Sequence, residues 1–310
     1  MLKIDRILCP TDLTPASEEA LRYALAFAKA HQAKLILLYC RKPGSLVDWS
    51  TSANAARLFQ QALFTHLDAD ELKTLEWEPA IVEADDVGRT IIEEASKRSA
   101  DLIVIRSRRR PHAAALLGST AETVSRYAPC PVLVVHQGER ECVAFTTCEM
   151  DLKRVLVTHD FSAGSELALN YGLSLAQENR SELHLLHILD QEEEDPPEFA
   201  WTHVDIESRY QDAAIQLQDA IPQEALLGCT AVTAVRWGNA PEEILSYAEN
   251  HKIDLICIRA RSAGFDLNKL FGSTTEHVLR RANCPVLVAR PAVAKGHAPR
   301  WCHRRQCCWN

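Results

Sequence analysis

Two aspartates, Asp12 and Asp160, each stand just past a short apolar run, at 7–9 and at 154–158. A carboxylate in that position can accept a hydrogen bond from a hydroxyl or from the amino group of a base. Two Gly-Ser pairs, Gly118-Ser119 and Gly272-Ser273, each open a helical pattern. The exposed N–H groups and hydroxyl at such a start form a seat for an anion. The same residue types also cap helices without binding anything, and spacing alone leaves both readings open. Arg106, Arg108, Arg109 and Arg110 form a third group. Their guanidinium forks could hold phosphate, or the run could be a solvated loop. His184 and His187 are three apart on a strand pattern and so face opposite sides, a poor metal pair. His159 reads as an exposed loop residue beside Asp160. The thiols and imidazole of 302–308 suit soft-metal or oxidant chemistry, or belong to a frayed tail. No Ser-His-Asp order, catalytic carboxylate pair or zinc spacing is present, and the chain is expected not to be an enzyme.

These candidates come in pairs because the chain is written twice. Asp12 and Asp160, Ser17 and Ser165, and Tyr23 and Tyr171 are each 148 positions apart. Leu117-Gly-Ser-Thr120 recurs as Phe271-Gly-Ser-Thr274, and Cys130-Pro-Val-Leu-Val134 as Cys284-Pro-Val-Leu-Val288, now 154 apart. So long a period means tandem domains, not a solenoid. The copies are placed at 1–138 and 151–291, with a linker at 139–150 and a Cys- and Arg-containing tail at 292–310.

In the second copy the pattern predicts strands at 154–158, 182–188, 229–235, 254–258 and 285–288. Helices are predicted between them, including 205–220 and 273–281. Ser162 or Ser165 is placed to cap the helix that follows the first strand, and Pro241 suits the first turn of another. The first copy repeats this with strands at 7–9, 35–39, 78–82, 101–105 and 132–135, and helices at 53–68, 87–98 and 119–127. Strands apolar on both faces and alternating with helices specify a parallel sheet covered on two sides. Ligands of such sheets gather beyond the carboxyl ends of the strands, where strand order reverses.

Composition narrows the function classes. The 310 residues are 47% hydrophobic and 25% charged, as in soluble globular proteins. No apolar run approaches the roughly 18 residues of a membrane span. With no signal pattern at the start, a cytoplasmic location is expected, without membrane association. Cys9, Cys40, Cys130, Cys257 and Cys284 lie in or beside apolar runs and read as inert core thiols. Residues 1–138 carry 17 basic and 17 acidic side chains, whereas 151–291 carry 12 and 22. An acidic second half repels a nucleic acid backbone, so no nucleic acid partner is expected.

The ordered motifs resemble the universal stress protein family. They are strand–Asp–Leu/Phe–Ser/Thr, Gly238-x-x-Pro241 before a helix, Asp-Leu-Ile before a loop, Gly-Ser-Thr opening a helix, and Cys-Pro-Val-Leu-Val at the end. The resemblance covers both copies. It implies two tandem domains of the adenine-nucleotide-hydrolase-like α/β type, each a five-stranded parallel sheet with helices on both faces, paired through their last strands. It also implies ATP or another adenine nucleotide as ligand where the loop Gly-x2-Gly-x9-Gly-Ser/Thr is kept. Here the second copy reads Arg259-x2-Ser262-x9-Gly272-Ser273. The first reads Arg106-x2-Arg109-x8-Gly118-Ser119, and has Asp85-Asp-Val-Gly88 in place of Gly-x-x-Pro. Both loops are degenerate, since side chains crowd a turn whose amides should approach phosphate.

The expectation is therefore a non-catalytic, regulatory stress-response module. Residual nucleotide binding falls mainly in the second copy, on Asp160, Arg259, Ser262, Gly272, Ser273 and Thr274, and less on Asp12, Gly118 and Ser119. The alternatives are a protein-interaction module that binds no nucleotide and, more weakly, an adenine-nucleotide hydrolase. The two domains are expected to form an internal pseudo-dimer; a homodimer and an unidentified regulatory protein are the other associations considered.

Overall fold

A computed structural model describes residues 3–44, 52–107, 118–136, 142–144, 148–190, 203–224, 228–260 and 272–291. The first copy runs β1 (Arg6–Pro10), α1 (Glu18–His31), β2 (Lys34–Arg41), α2 (Ser52–Phe64), α3 (Ala69–Thr74), β3 (Trp77–Glu83), α4 (Val87–Lys97), β4 (Leu102–Ser107), α5 (Ser119–Tyr127) and β5 (Val132–His136). The second runs β6 (Arg154–Thr158), α6 (Ala163–Asn179), β7 (Glu182–Leu189), α7 (His203–Asp219), β8 (Thr230–Trp237), α8 (Ala240–Asn250), β9 (Leu255–Arg259), α9 (Ser273–Arg281) and β10 (Val286–Ala289).

All ten strands join one sheet in the order β3-β2-β1-β4-β5-β10-β9-β6-β7-β8. Pairing is parallel within each copy and antiparallel at the centre, where Leu287 of β10 faces Leu133 of β5. Alternation along the strands feeds two cores. Ile7, Cys9, Leu35, Leu37, Val155 and Val157 pack under α1, α2, α6 and α7. Leu8, Ile36, Leu38, Leu156 and Ile256 pack under α4, α5, α8 and α9. Both cores run through both copies, which is why the strands read as unbroken apolar runs.

The fold matches the expected class and places nearly every predicted element. One prediction fails locally: the helix expected over 53–68 ends at Phe64, and a separate α3 follows. Asp68 starts the second helix, accepting from the N–H groups of Asp70 and Glu71, while Glu71 accepts from Asp68 N–H. This reciprocal capping box was legible as Asp68-x-x-Glu71.

The Asp-Leu-Ile motif has a structural role. Asp101 Oδ2 accepts from the N–H groups of Asp5 and Arg6 at 3.0 and 2.9 Å, clamping the start of β1. Asp254 Oδ2 does the same for Lys153 and Arg154, both at 2.9 Å. The segment between the copies is also anchored where it is described. Cys142 and Cys148 are buried, and the Cys142 thiol sits 3.2 Å from Tyr23 Oη and donates to the Asp254 carbonyl at 3.1 Å.

The two copies meet through side chains that repeat at the 154-residue offset. His136 Nε2 hydrogen-bonds the Leu279 carbonyl at 2.6 Å. Its counterpart Arg290 donates to the carbonyls of Ser125 and Arg126. Equivalent residues thus reach for equivalent carbonyls, the signature of an isologous contact. Burial pulls the Arg290 guanidinium down to about 10, against the pull of nearby Cys130. Among the described residues no helix is long and apolar enough to cross a membrane.

Candidate functional site

The turn leaving the first strand of each copy is built alike. Asp12 Oδ1 accepts from Thr14 N–H at 3.1 Å and from its hydroxyl at 2.6 Å. Asp160 Oδ1 accepts from Ser162 N–H at 3.3 Å and from its hydroxyl at 2.6 Å. The residue between, Leu13 or Phe161, is held at φ +57° or +59° without being glycine. Such strain persists only where surroundings impose it. Neither aspartate caps its helix. Ser162 caps α6, exchanging hydrogen bonds with Ser165.

The two clefts then diverge. In the second copy, Arg259 at the end of β9 pairs with Asp160 Oδ2 at 2.6 Å. Its chain lies against the first turn of α6, with Cδ 3.3 Å from where a Cβ on Gly164 would stand. Half-burial pushes the Asp160 carboxyl up, but hydroxyls of Ser162 and Ser165 and the Arg259 charge hold it below the usual range. Gly272 is the N-cap residue of α9, without a side-chain cap, and Ser273 and Thr274 begin the helix. Ser262 lies outside the described residues.

In the first copy the counterparts surround a cavity of about 770 Å³. Asp12, Arg106, Gly118 and Ser119 all line it. The end of β1 supplies Pro10 and Thr11, and β2 supplies Leu38 and Cys40, with Lys42 just beyond. Val87 and Ile91 come from α4, and Thr120 and Glu122 from α5. It opens between β1 and β4, where strand order reverses. Its apolar lining is Leu38, Val87, Ile91 and Ile105, of which only Val87 is more than slightly exposed. Its cationic lining is Lys42 and Arg106, beside the N-terminus of α5, which has no side-chain cap at Gly118. Burial pushes the Cys40 thiol up to about 11, first among its causes, so it stays a neutral lining group.

Of the residues that spacing singled out, Asp12, Gly118 and Ser119 line the first-copy cavity, while Ser262 and the rest of the second-copy loop 261–271 lie outside the described residues. A spacing rule counts backbone positions and is blind to the direction of an arginine side chain. It also missed Lys42, Cys40, Val87 and Ile91. Their signal was topological: each sits at the carboxyl end of a strand, or at a helix start, on one edge of the sheet.

Histidine readings need one correction. His159 is buried, not exposed: 3% of its surface meets solvent. It replaces Thr11, whose Oγ1 accepts from Leu13 N–H at 3.0 Å; His159 Nδ1 accepts from Phe161 N–H at 3.2 Å. His184 and His187 do face opposite sides. One bonds Tyr247 Oη at 2.9 Å and the other the His159 carbonyl at 2.7 Å. Among the described residues no group of three or more His, Cys, Asp or Glu is placed to hold a metal ion. Arg108, Arg109 and Arg110, the acidic stretch 191–198 and the tail 292–310 lie outside the described residues.

Burial pulls down the pKa of His66, His159 and His184 alike, as the leading cause in each. The unfolded chain, with histidines near 6.5, therefore binds protons first as pH falls. Their contribution is complete above about pH 6.5 and shrinks below it. Thermal melts should hold one midpoint from pH 7 to 8 and fall between about pH 6.5 and 5. A midpoint flat across that lower window would contradict the burial of these rings.

The model of the universal stress protein family matches this chain twice, over residues 3–136 and 151–290. The chain belongs to the universal stress protein family. A universal stress protein of Mycobacterium tuberculosis is 26% identical over 309 residues, covering 93% of this chain and 97% of that one. A shorter universal stress protein of Methanocaldococcus jannaschii is 25% identical over 153 residues, covering 44% of this chain and 94% of its own. The crystal structure of a universal stress protein from Archaeoglobus fulgidus superposes with a TM-score of 0.65 at 22% identity, covering 93% and 99% of the two chains. That likeness establishes the fold: two universal stress protein domains in tandem along one chain.

Proposed function

We propose that this universal stress protein is a non-catalytic regulatory module that takes one adenine nucleotide per chain, in the cavity of its first copy. The observation that carries this is the cavity of about 770 Å³ lined by Asp12, Lys42, Arg106 and the start of α5, within the range of small-ligand pockets and placed where strand order reverses. In the second copy Asp160 pairs with Arg259 at 2.6 Å. A flat base suits the apolar lining, where Val87 is partly exposed and Leu38, Ile91 and Ile105 lie buried. Phosphates suit Lys42, Arg106 and the uncapped start of α5, so that cationic side chains take over from the missing glycine amides.

The same lining argues against turnover. One Asp12 oxygen is held by Thr14, and Glu122 is engaged by Arg126 at 2.8 Å. Neither is presented as a base for water. The rival reading, a module that binds no nucleotide and works through protein partners in the cytoplasm, draws on the replaced glycines.

Calorimetry with ATP, ADP and AMP on the full chain separates the readings. The expected result is one site per chain. Asp12→Ala should weaken it by about tenfold or more through loss of a carboxylate hydrogen bond, whereas Asp160→Ala should leave it in place. No heat with any nucleotide at high micromolar protein ends the nucleotide reading. Steady phosphate release from ATP would revive the hydrolase.

A further inference from the structure

Glu122 occupies two places at once. It stands in the first turn of α5 and lines the cavity of the first copy. Its carboxylate is also held from two sides: Arg126 of the same helix lies 2.8 Å away, and Arg280 of α9, in the second copy, lies 3.9 Å away. Arg126 reaches on to Glu276 at 3.1 Å, and Glu276 also pairs with Arg280. The two arginines and two glutamates repeat at the 154-residue offset, so the quartet is a pseudo-symmetric ring with no net charge. Each of its side chains is between 22% and 29% exposed, so solvent screens it only in part.

The ring resolves a conflict at the cavity. An anion drawn to the start of α5 approaches a carboxylate four residues into that helix. Arg126 alone cannot offset both glutamates: each arginine is shared between Glu122 and Glu276, so the two carboxylates are balanced only when both arginines are present. We propose that Arg280 of the second copy is a positioning residue for the first copy's cavity: it neutralises Glu122, and so lets the N-terminus of α5 receive phosphate. The inference rests on the nucleotide reading above and deepens it, because the site is then electrostatically complete only when both copies are paired. It gives the second copy a task that does not require a ligand of its own. Without Arg280 the ring carries one net negative charge beside the phosphate. A unit charge about 7 Å away, at an effective dielectric of about 40, alters affinity by roughly three- to tenfold, and salt screens that difference.

The test is titration of ADP into the full-length protein at about 50 mM and about 500 mM salt, concentrations that span strong and weak screening lengths. Arg280→Gln should weaken ADP roughly three- to tenfold at low salt and much less at high salt. Arg280→Lys, which keeps the charge, should stay near the parent. Glu122→Gln should bind more tightly than the parent at low salt, and combining it with Arg280→Gln, which returns the ring to zero net charge, should restore the parent's affinity. A purely structural role for Arg280 would lower the melting temperature without this salt dependence or rescue. Parent-like affinity in Arg280→Gln at low salt overturns the proposal, as does a double variant as weak as Arg280→Gln. If Arg280→Gln fails to fold, Glu122→Gln decides: tighter binding at low salt supports the proposal and unchanged binding overturns it. If the parent protein binds no ADP, the nucleotide reading has failed and this inference falls with it.

Discussion

Gly172→Ala is expected to lower the stability of this protein by about 2 kcal/mol, the middle of what overpacking a core costs. A Cβ at that position would stand 2.3 Å from Val157 Cγ2, far inside contact distance. Val157 is fully buried in β6, and its branched side chain has little rotamer freedom with which to yield. Either α6 lifts from the sheet or β6 bends, and both disturb the core shared by the two copies. The first copy shows another solution to the same contact. At the positions 148 residues earlier it carries Cys9 and Ala24, a smaller strand residue opposite a larger helix residue. Val157→Cys added to Gly172→Ala recreates that pair and should recover most of the loss, as expected for residues in direct contact. Chemical denaturation of the parent, both single variants and the double variant measures it. A loss below about 0.5 kcal/mol in Gly172→Ala, the range of a surface change, would mean that α6 does not sit this close.

On the proposed nucleotide reading, Lys42→Glu is expected to reduce ADP affinity by about tenfold or more, the effect of reversing a unit charge beside a bound polyanion at intermediate dielectric. Lys42 is exposed, lines the cavity just past β2, and makes no ion pair among the described residues. Its charge is thus committed to no other described group. The loss should shrink as salt rises, because the interaction is solvent-screened, while the melting temperature stays near that of the parent. The same titration of the parent and Lys42→Glu in ADP checks it. Unchanged affinity at low salt would place the phosphates away from Lys42.

Much of this architecture is written in the chain. Repetition of Asp-x-Ser/Thr, Gly-Ser-Thr and Cys-Pro-Val-Leu-Val set out two copies, and strands apolar on both faces announced a covered parallel sheet. What resisted reading was set by side-chain direction and by contacts distant in sequence. Arg259 and Arg106 occupy matching positions, yet only the folded structure reveals that Arg259 turns onto Asp160 and Gly164. His159 reads as a loop residue because nothing local says that its ring nitrogen accepts from Phe161 as a threonine hydroxyl does in the other copy. The ring of Glu122, Arg126, Glu276 and Arg280 is visible in sequence only as two ordinary helical Glu–Arg pairs. Its crossing partners appear once β5 and β10 bring α5 and α9 together.

A crystal structure of the full chain grown with ADP tests the central claim most directly. The expected result is one nucleotide, its base near Leu38, Val87 and Ile91 and its phosphates at Ser119, Lys42 and Arg106, with the Arg259–Asp160 pair intact. A nucleotide seated instead in the second copy, with Asp160 released from Arg259 and the first cavity vacant, would contradict it.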